Sequence, residues 1–178
     1  MTPEDLKSLI RTIPDFPKPG ILFRDVTTLI GHGTGFASAT AMLADHARKA
    51  GAQAIAGIEA RGFIFGAAVA ARLGLPFVPV RKPGKLPVPV LAMDYALEYG
   101  TDTLEVDPEA VVEGHIVVLI DDLIATGGTA HAAVKLLRRA GGVVNKGLFV
   151  IDLPDLGGAD RLRGEDLSVE ALMEFEGD

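Results

Sequence analysis

Val117-Val118-Leu119-Ile120-Asp121-Asp122-Leu123-Ile124-Ala125-Thr126-Gly127-Gly128-Thr129 is the stretch from which the rest of the chain can be ordered. The apolar run Ile116 to Ile120 reads as a buried strand. Two acids stand at its carboxyl end. A loop of small residues follows, and then Ala130, Ala133, Val134, Leu137 and Ala140 fall on one face of a helix.

The same alternation extends in both directions. Ala54 to Ile58, Phe77 to Val80 and Val143 to Ile151 read as further buried strands, the last interrupted at Asn145-Lys146-Gly147. Phe36, Ala39, Thr40, Leu43, Ala44 and Ala47 form a second helical face. Gly51, Gly74 and Gly141-Gly142 follow helices as stops. Strands apolar on both sides, alternating with helices, predict an α/β fold: a mostly parallel twisted sheet flanked by helices. At 178 residues the chain predicts a single domain, 1–178. Gly31-His32-Gly33-Thr34-Gly35 reads as a helix start, because no strand precedes it in the register a nucleotide loop needs.

Two segments break the rhythm. Ile13 to Gly20 holds Pro14, Pro17 and Pro19 and must be extended or turned. Lys82 to Met93 holds Pro83, Gly84, Pro87 and Pro89 and shows no element pattern. A long irregular connection inside a compact domain is usually functional, often a lid. The segment Lys82 to Tyr99 is therefore expected to be a flexible active-site loop.

Composition removes several classes of function. Charged residues are 23% and hydrophobic ones 48%, the balance of a packed domain. A formal net charge of -7 argues against wrapping nucleic acid, which takes a basic face. It allows a small anion held by a local basic cluster. With no cysteine there are no disulfides, thiolate metal sites or cysteine nucleophiles. Charges throughout Met1 to Phe16 do not suit a secretory signal, and the apolar run Phe63 to Ala71 is too short to span a bilayer. Cytoplasm is the expected location.

The loop after the strand suits a phosphate. Gly127 and Gly128 let backbone N–H groups approach an anion, Thr126 and Thr129 add hydroxyls, and the helix aims its positive end at the charge. No Gly-Lys-Ser/Thr follows, so it is not a nucleoside triphosphate loop. Paired carboxylates beside a phosphate cradle make sense if the ligand also offers hydroxyls or a positive carbon. A ribose 5-phosphate offers both. A solvated turn with a helix cap is the alternative reading of the loop.

This segment resembles the phosphoribosyl diphosphate (PRPP) motif of the type I phosphoribosyltransferases. Other stretches resemble the adenine-specific branch, in the family's order and across nearly the whole chain. They are Pro14 to Asp25, Glu59-Ala60-Arg61-Gly62-Phe63, Arg81 to Pro87, Tyr95 to Gly100, and Asp155-Leu156-Gly157-Gly158. The loop tip Val88 to Asp94 departs from the family, being apolar where many relatives are polar.

The resemblance implies transfer of the phosphoribosyl group from PRPP to adenine, giving AMP and diphosphate. It implies that PRPP is bound by Arg61, Arg81, Lys82, Lys85, Asp121, Asp122, Ala125, Thr126, Gly127, Gly128 and Thr129. Leu22, Phe23 and Arg24 would form the adenine pocket, within an amino-terminal base-recognition segment at about 1–35. Glu98, Asp121 and Asp122 would be catalytic, Glu98 by orienting or deprotonating adenine. Mg2+ would be held mainly by PRPP and water, with no direct protein ligand. A homodimer is implied, with part of the Arg81, Lys82 and Lys85 cluster reaching a neighbouring subunit. The residues themselves also allow a surface salt bridge for Arg61, a core position for Phe23 and a plain surface role for Glu98. His32, His46, His115 and His131 show no metal-ligand spacing and read as structural or exposed. Two other functions stay open: a PRPP-binding regulator without turnover, and the same chemistry on another base.

Overall fold

A computed structural model describes residues 1–96 and 100–177. Among these, the central sheet has five strands, all parallel: β3 (Ala54–Ile58), β4 (Phe77–Val80), β7 (Ile116–Ile124), β8 (Val143–Asp152) and β9 (Ser168–Glu174). Their spatial order is β4-β3-β7-β8-β9. Counted within this sheet the order is 2-1-3-4-5, which reverses direction between β3 and β7. In open parallel sheets that reversal leaves a crevice at the carboxyl ends of the two strands.

Alternate strand residues supply two cores. Ile55, Val118, Ile120, Leu148 and Val150 face α3 (Gly33–Lys49), α4 (Arg61–Leu73) and the amino-terminal elements. Ala56, Ile58, Val117, Leu119 and Phe149 face α5 (Gly128–Arg139) and α6 (Gly158–Arg163). Each fully buried aliphatic side chain adds roughly 1.5–3 kcal/mol. His32 caps α3, its Nδ1 accepting from the Gly35 N–H at 3.0 Å, so the glycine-rich turn is a helix start. Gly74 ends α4 at φ +67°, a conformation that suits glycine.

The amino terminus forms α1 (Pro3–Lys7), a two-stranded ribbon of β1 (Arg11–Pro14) and β2 (Leu22–Asp25), and the short α2 (Thr27–Ile30). Asp25 anchors that ribbon. Bonds from Thr27, and then from Arg11, lower its pKa to about 2.

Three expectations need correction. The β8 strand runs unbroken through Asn145-Lys146-Gly147. Lys146 is buried because its ammonium bonds Glu170 and, at 3.0 Å, Ser168 Oγ on β9. The β7 strand passes Ile120 and ends at Ile124, so Asp121 and Asp122 sit inside it. The segment 82–93 is not irregular throughout. Leu91 to Ala96 form β5, paired antiparallel with β6 (Thr101–Val106). Leu91, Met93 and Tyr95 alternate inward while Ala92, Asp94 and Ala96 stay exposed, a period of two hidden by the prolines before it. This hairpin packs against α5, and its β6 strand also meets β4 at the edge of the sheet.

Candidate active site

The crevice at the β3–β7 reversal is a cavity of about 490 Å³. Ile58 to Arg61 form one wall, Asp121 to Ala130 the other, and Lys82 closes a side. The two walls come from the carboxyl ends of adjacent parallel strands and the helices that follow them.

Asp121 and Asp122 are held by α4. The Asp121 carboxylate accepts the Asp122 N–H at 2.9 Å. A methyl group on Gly62 would stand 2.5 Å from Asp121 Oδ1, so only glycine lets α4 start this close to the acid. Arg61 Nε lies 2.6 Å from Asp122 Oδ2. Asp122 is 5% exposed. Burial, and then the charge of Asp122, raise the Asp121 pKa well above the ordinary carboxylate range. Burial also raises Asp122, and the Arg61 charge opposes that shift. A cationic or hydroxyl-bearing ligand in this cavity would meet acids that lack sufficient solvation of their own.

The loop Ala125 to Thr129 is built from below as well as along the chain. Gly127 lies at φ +78°, and a methyl there would stand 2.9 Å from the Gly158 carbonyl. Gly158 is tighter still. Its N–H donates to the Ala125 carbonyl at 2.9 Å, and an added methyl would stand 2.2 Å from that oxygen. Gly157-Gly158, quoted in the sequence only for its resemblance, is therefore the shelf that shapes Ala125 to Gly127. At Gly128 an added methyl meets only the Ala96 carbonyl, at 3.5 Å, and otherwise points into open space.

The basic cluster divides. Lys82 lines the cavity, whereas Arg81 and Lys85 do not. Arg81 pairs with Glu59, Nε to Oε2 at 3.2 Å. That contact, followed by the Lys82 N–H, lowers the Glu59 pKa. Lys82 already has an anionic partner in the free protein, its ammonium being bonded to Asp102 and Tyr95. Leu22, Phe23 and Arg24 lie outside the cavity lining. Phe23 adjoins it, its ring 5.5 Å from the Arg61 guanidinium and edge-on to Phe16. The Arg24 side chain is engaged elsewhere, donating to Thr12 Oγ1 at 2.7 Å and to the Glu176 carbonyl at 2.8 Å. Glu98 lies outside the described residues. His131 sits against Glu165 at 2.6 Å, joining α5 to the end of α6.

Residues 32–147 match the family described as phosphoribosyl transferase domain. The adenine phosphoribosyltransferase of Novosphingobium aromaticivorans is 68% identical over 177 residues, covering 99% of both chains. The chain belongs to the adenine phosphoribosyltransferase family. Solved adenine phosphoribosyltransferases share its fold. That of Thermoanaerobacter pseudethanolicus superposes with a TM-score of 0.93 at 48% identity, covering 98% of this chain and 100% of the other. That of Saccharomyces cerevisiae, complexed with adenine and an imino-altritol bisphosphate, gives 0.90 at 35% identity, covering 96% and 98%. Type I phosphoribosyltransferases use Mg2+ with PRPP. Among the described residues no group of three His, Asp or Glu is placed to hold a cation, and no helix is long and apolar enough to cross a membrane.

Proposed function

We propose that this chain transfers the 5-phosphoribosyl group of PRPP to adenine, giving AMP and diphosphate. The observation that carries the proposal is the single cavity that gathers Arg61, the Asp121–Asp122 pair and the Ala125 to Thr129 loop at the sheet's reversal. The loop backbone and the Thr126 and Thr129 hydroxyls receive the 5-phosphate at the amino end of α5. Asp121 and Asp122 accept from the ribose hydroxyls and stabilise positive charge at C1 as the bond to diphosphate breaks. Arg61 and Lys82 meet the diphosphate. Mg2+ carried on PRPP would neutralise the leaving group.

Adenine attacks C1 from the face opposite diphosphate and inverts it. The yeast relative's complex with adenine supports that choice of base. Phe23, beside Arg61, would cover a purine ring, and Arg24 would contribute through its backbone because its guanidinium is engaged. Glu98 orients or deprotonates the base in the same reading. Arg81 and Lys85, outside the cavity, fit a clamp shared with a second subunit of a cytoplasmic homodimer. AMP formation with PRPP and adenine tests the reading, with guanine, hypoxanthine and orotate run in parallel. Turnover of another base in preference to adenine, or PRPP binding without any turnover, would overturn it.

A further inference from the structure

Lys82 is held from two sides. Its backbone N–H donates to Glu59 Oε2 at 2.9 Å, on the cavity wall. Its ammonium crosses to the hairpin and donates to Tyr95 Oη at 3.0 Å and to the Asp102 carboxylate. The Tyr95 hydroxyl donates to the same Asp102 oxygen at 3.1 Å, and Asp102 Oδ1 accepts the Thr103 N–H at 2.8 Å. Tyr95 and Asp102 are cross-strand partners on β5 and β6, so the hairpin fixes both. Tyr95 is 8% exposed, and the ammonium lies 5.6 Å from its ring centre. Burial opposes the charge on Lys82, but the bonds to Asp102 and Tyr95 outweigh it and raise its pKa. The Lys82 bond is the first cause of the lowered Asp102 pKa.

An ammonium has three N–H donors. Two go to the hairpin, and the third has no partner among the described residues. A free lysine side chain loses rotamer entropy when a ligand immobilises it, which weakens binding. Here that entropy is already lost in the free protein, at a residue that lines the cavity.

We infer that Asp102 and Tyr95 are positioning residues, whose pair holds the Lys82 ammonium at the cavity wall with one N–H available to the diphosphate of PRPP. Two hairpin residues outside the phosphate loop thereby set PRPP affinity through Lys82. The inference rests on the cavity being the PRPP site. It reaches further by giving a role to the Tyr95–Asp102 rung of the hairpin.

Steady-state kinetics of Asp102→Asn, Tyr95→Phe, Lys82→Met and the Asp102→Asn/Lys82→Met double variant test it. Asn keeps the shape and an acceptor but loses the charge. In Asp102→Asn the KM for PRPP should rise about tenfold, with kcat and the KM for adenine changed less than about twofold. Product inhibition by diphosphate should weaken by the same factor. In the double variant Asp102→Asn should add nothing to Lys82→Met, which a general loosening of the fold would not produce. Tyr95→Phe removes only the hydroxyl and should move the KM for PRPP in the same direction, so the test survives if Asp102→Asn fails to fold. An unchanged KM for PRPP in Asp102→Asn, where Lys82→Met raises it, overturns the positioning role alone. A lowered KM would mean that Asp102 withholds the ammonium, and also overturns it. No effect of Lys82→Met removes Lys82 from the PRPP site, and the inference falls with that reading.

Discussion

Gly158→Ala should disable the enzyme from beneath the phosphate loop without touching a ligand. The added methyl would stand 2.2 Å from the Ala125 carbonyl oxygen, 2.6 Å from the Gly127 nitrogen and 2.8 Å from the Thr126 carbonyl carbon. All three are backbone atoms, so no side chain can swing aside. Ordinary contact needs the loop and α6 to separate by about 1 Å. The same movement breaks the 2.9 Å bond from the Gly158 N–H to the Ala125 carbonyl. A displacement of about 1 Å in a positioning element costs on the order of 100-fold, or about 2.7 kcal/mol in kcat/KM. Overpacking should lower stability by about 1–3 kcal/mol. The assay is kcat/KM for PRPP, with calorimetric unfolding to confirm a cooperative fold. Gly128→Val is the contrast. Its methyl position meets only the Ala96 carbonyl at 3.5 Å, so it should fold almost normally and lose PRPP binding by filling the ligand's place. A folded Gly158→Ala protein with kcat/KM near the parent value would refute the shelf.

Three further outcomes follow from the same geometry. Asp121→Asn should lower turnover about 100-fold. Because burial and Asp122 raise the Asp121 pKa, the parent kcat/KM should climb with pH above the ordinary carboxylate range, and an identical climb in the variant would exclude Asp121 as its source. Asp152, 4% exposed, has an Oδ1 without a hydrogen-bond partner among the described residues, and burial, then the charge of Glu174, raise its pKa. Ionisation therefore opposes folding: the cost is absent below the ordinary aspartate value of 3.8 and complete above the raised folded pKa. Asp152→Asn should stabilise the protein at pH 7 by on the order of 1 kcal/mol, with the difference in Tm closing as pH falls towards 3.8, and a destabilised variant at pH 7 would contradict this. Amide exchange should be slow in β5 and β6 with or without ligand, but fast across residues 83–90 until PRPP, Mg2+ and an adenine analogue bind. Equal protection of 83–90 in both states would remove the case for a closing loop.

The site was legible wherever its logic is local. Strand, acids, glycines and helix follow one another within thirteen residues, and each has a residue-type signature that the sequence displays. The helix start at His32 was legible for the same reason, since cap and capped N–H are three residues apart. The β5–β6 hairpin was missed although Leu91, Met93 and Tyr95 alternate as a strand should, because Pro83, Pro87 and Pro89 suggested that the irregular segment continued. Lys146 reads as an interruption because a lysine in a buried strand makes sense only once Glu170, 24 residues later, is brought beside it.

By itself the sequence determined four of the five sheet strands, their alternation with helices, the parallel sheet, the glycine-rich loop after Asp122 and the family. Those rest on periods of two and 3.6 residues and on the conformational freedom of glycine, which act over short spans. The tertiary structure decided which groups meet. It put Gly158 under Gly127, Gly62 against Asp121, and Asp102 rather than a ligand on Lys82 in the free protein. These contacts join residues 20 or more positions apart. No local pattern encodes them, because each depends on sheet order and helix placement before the two side chains or backbones can come within bonding distance.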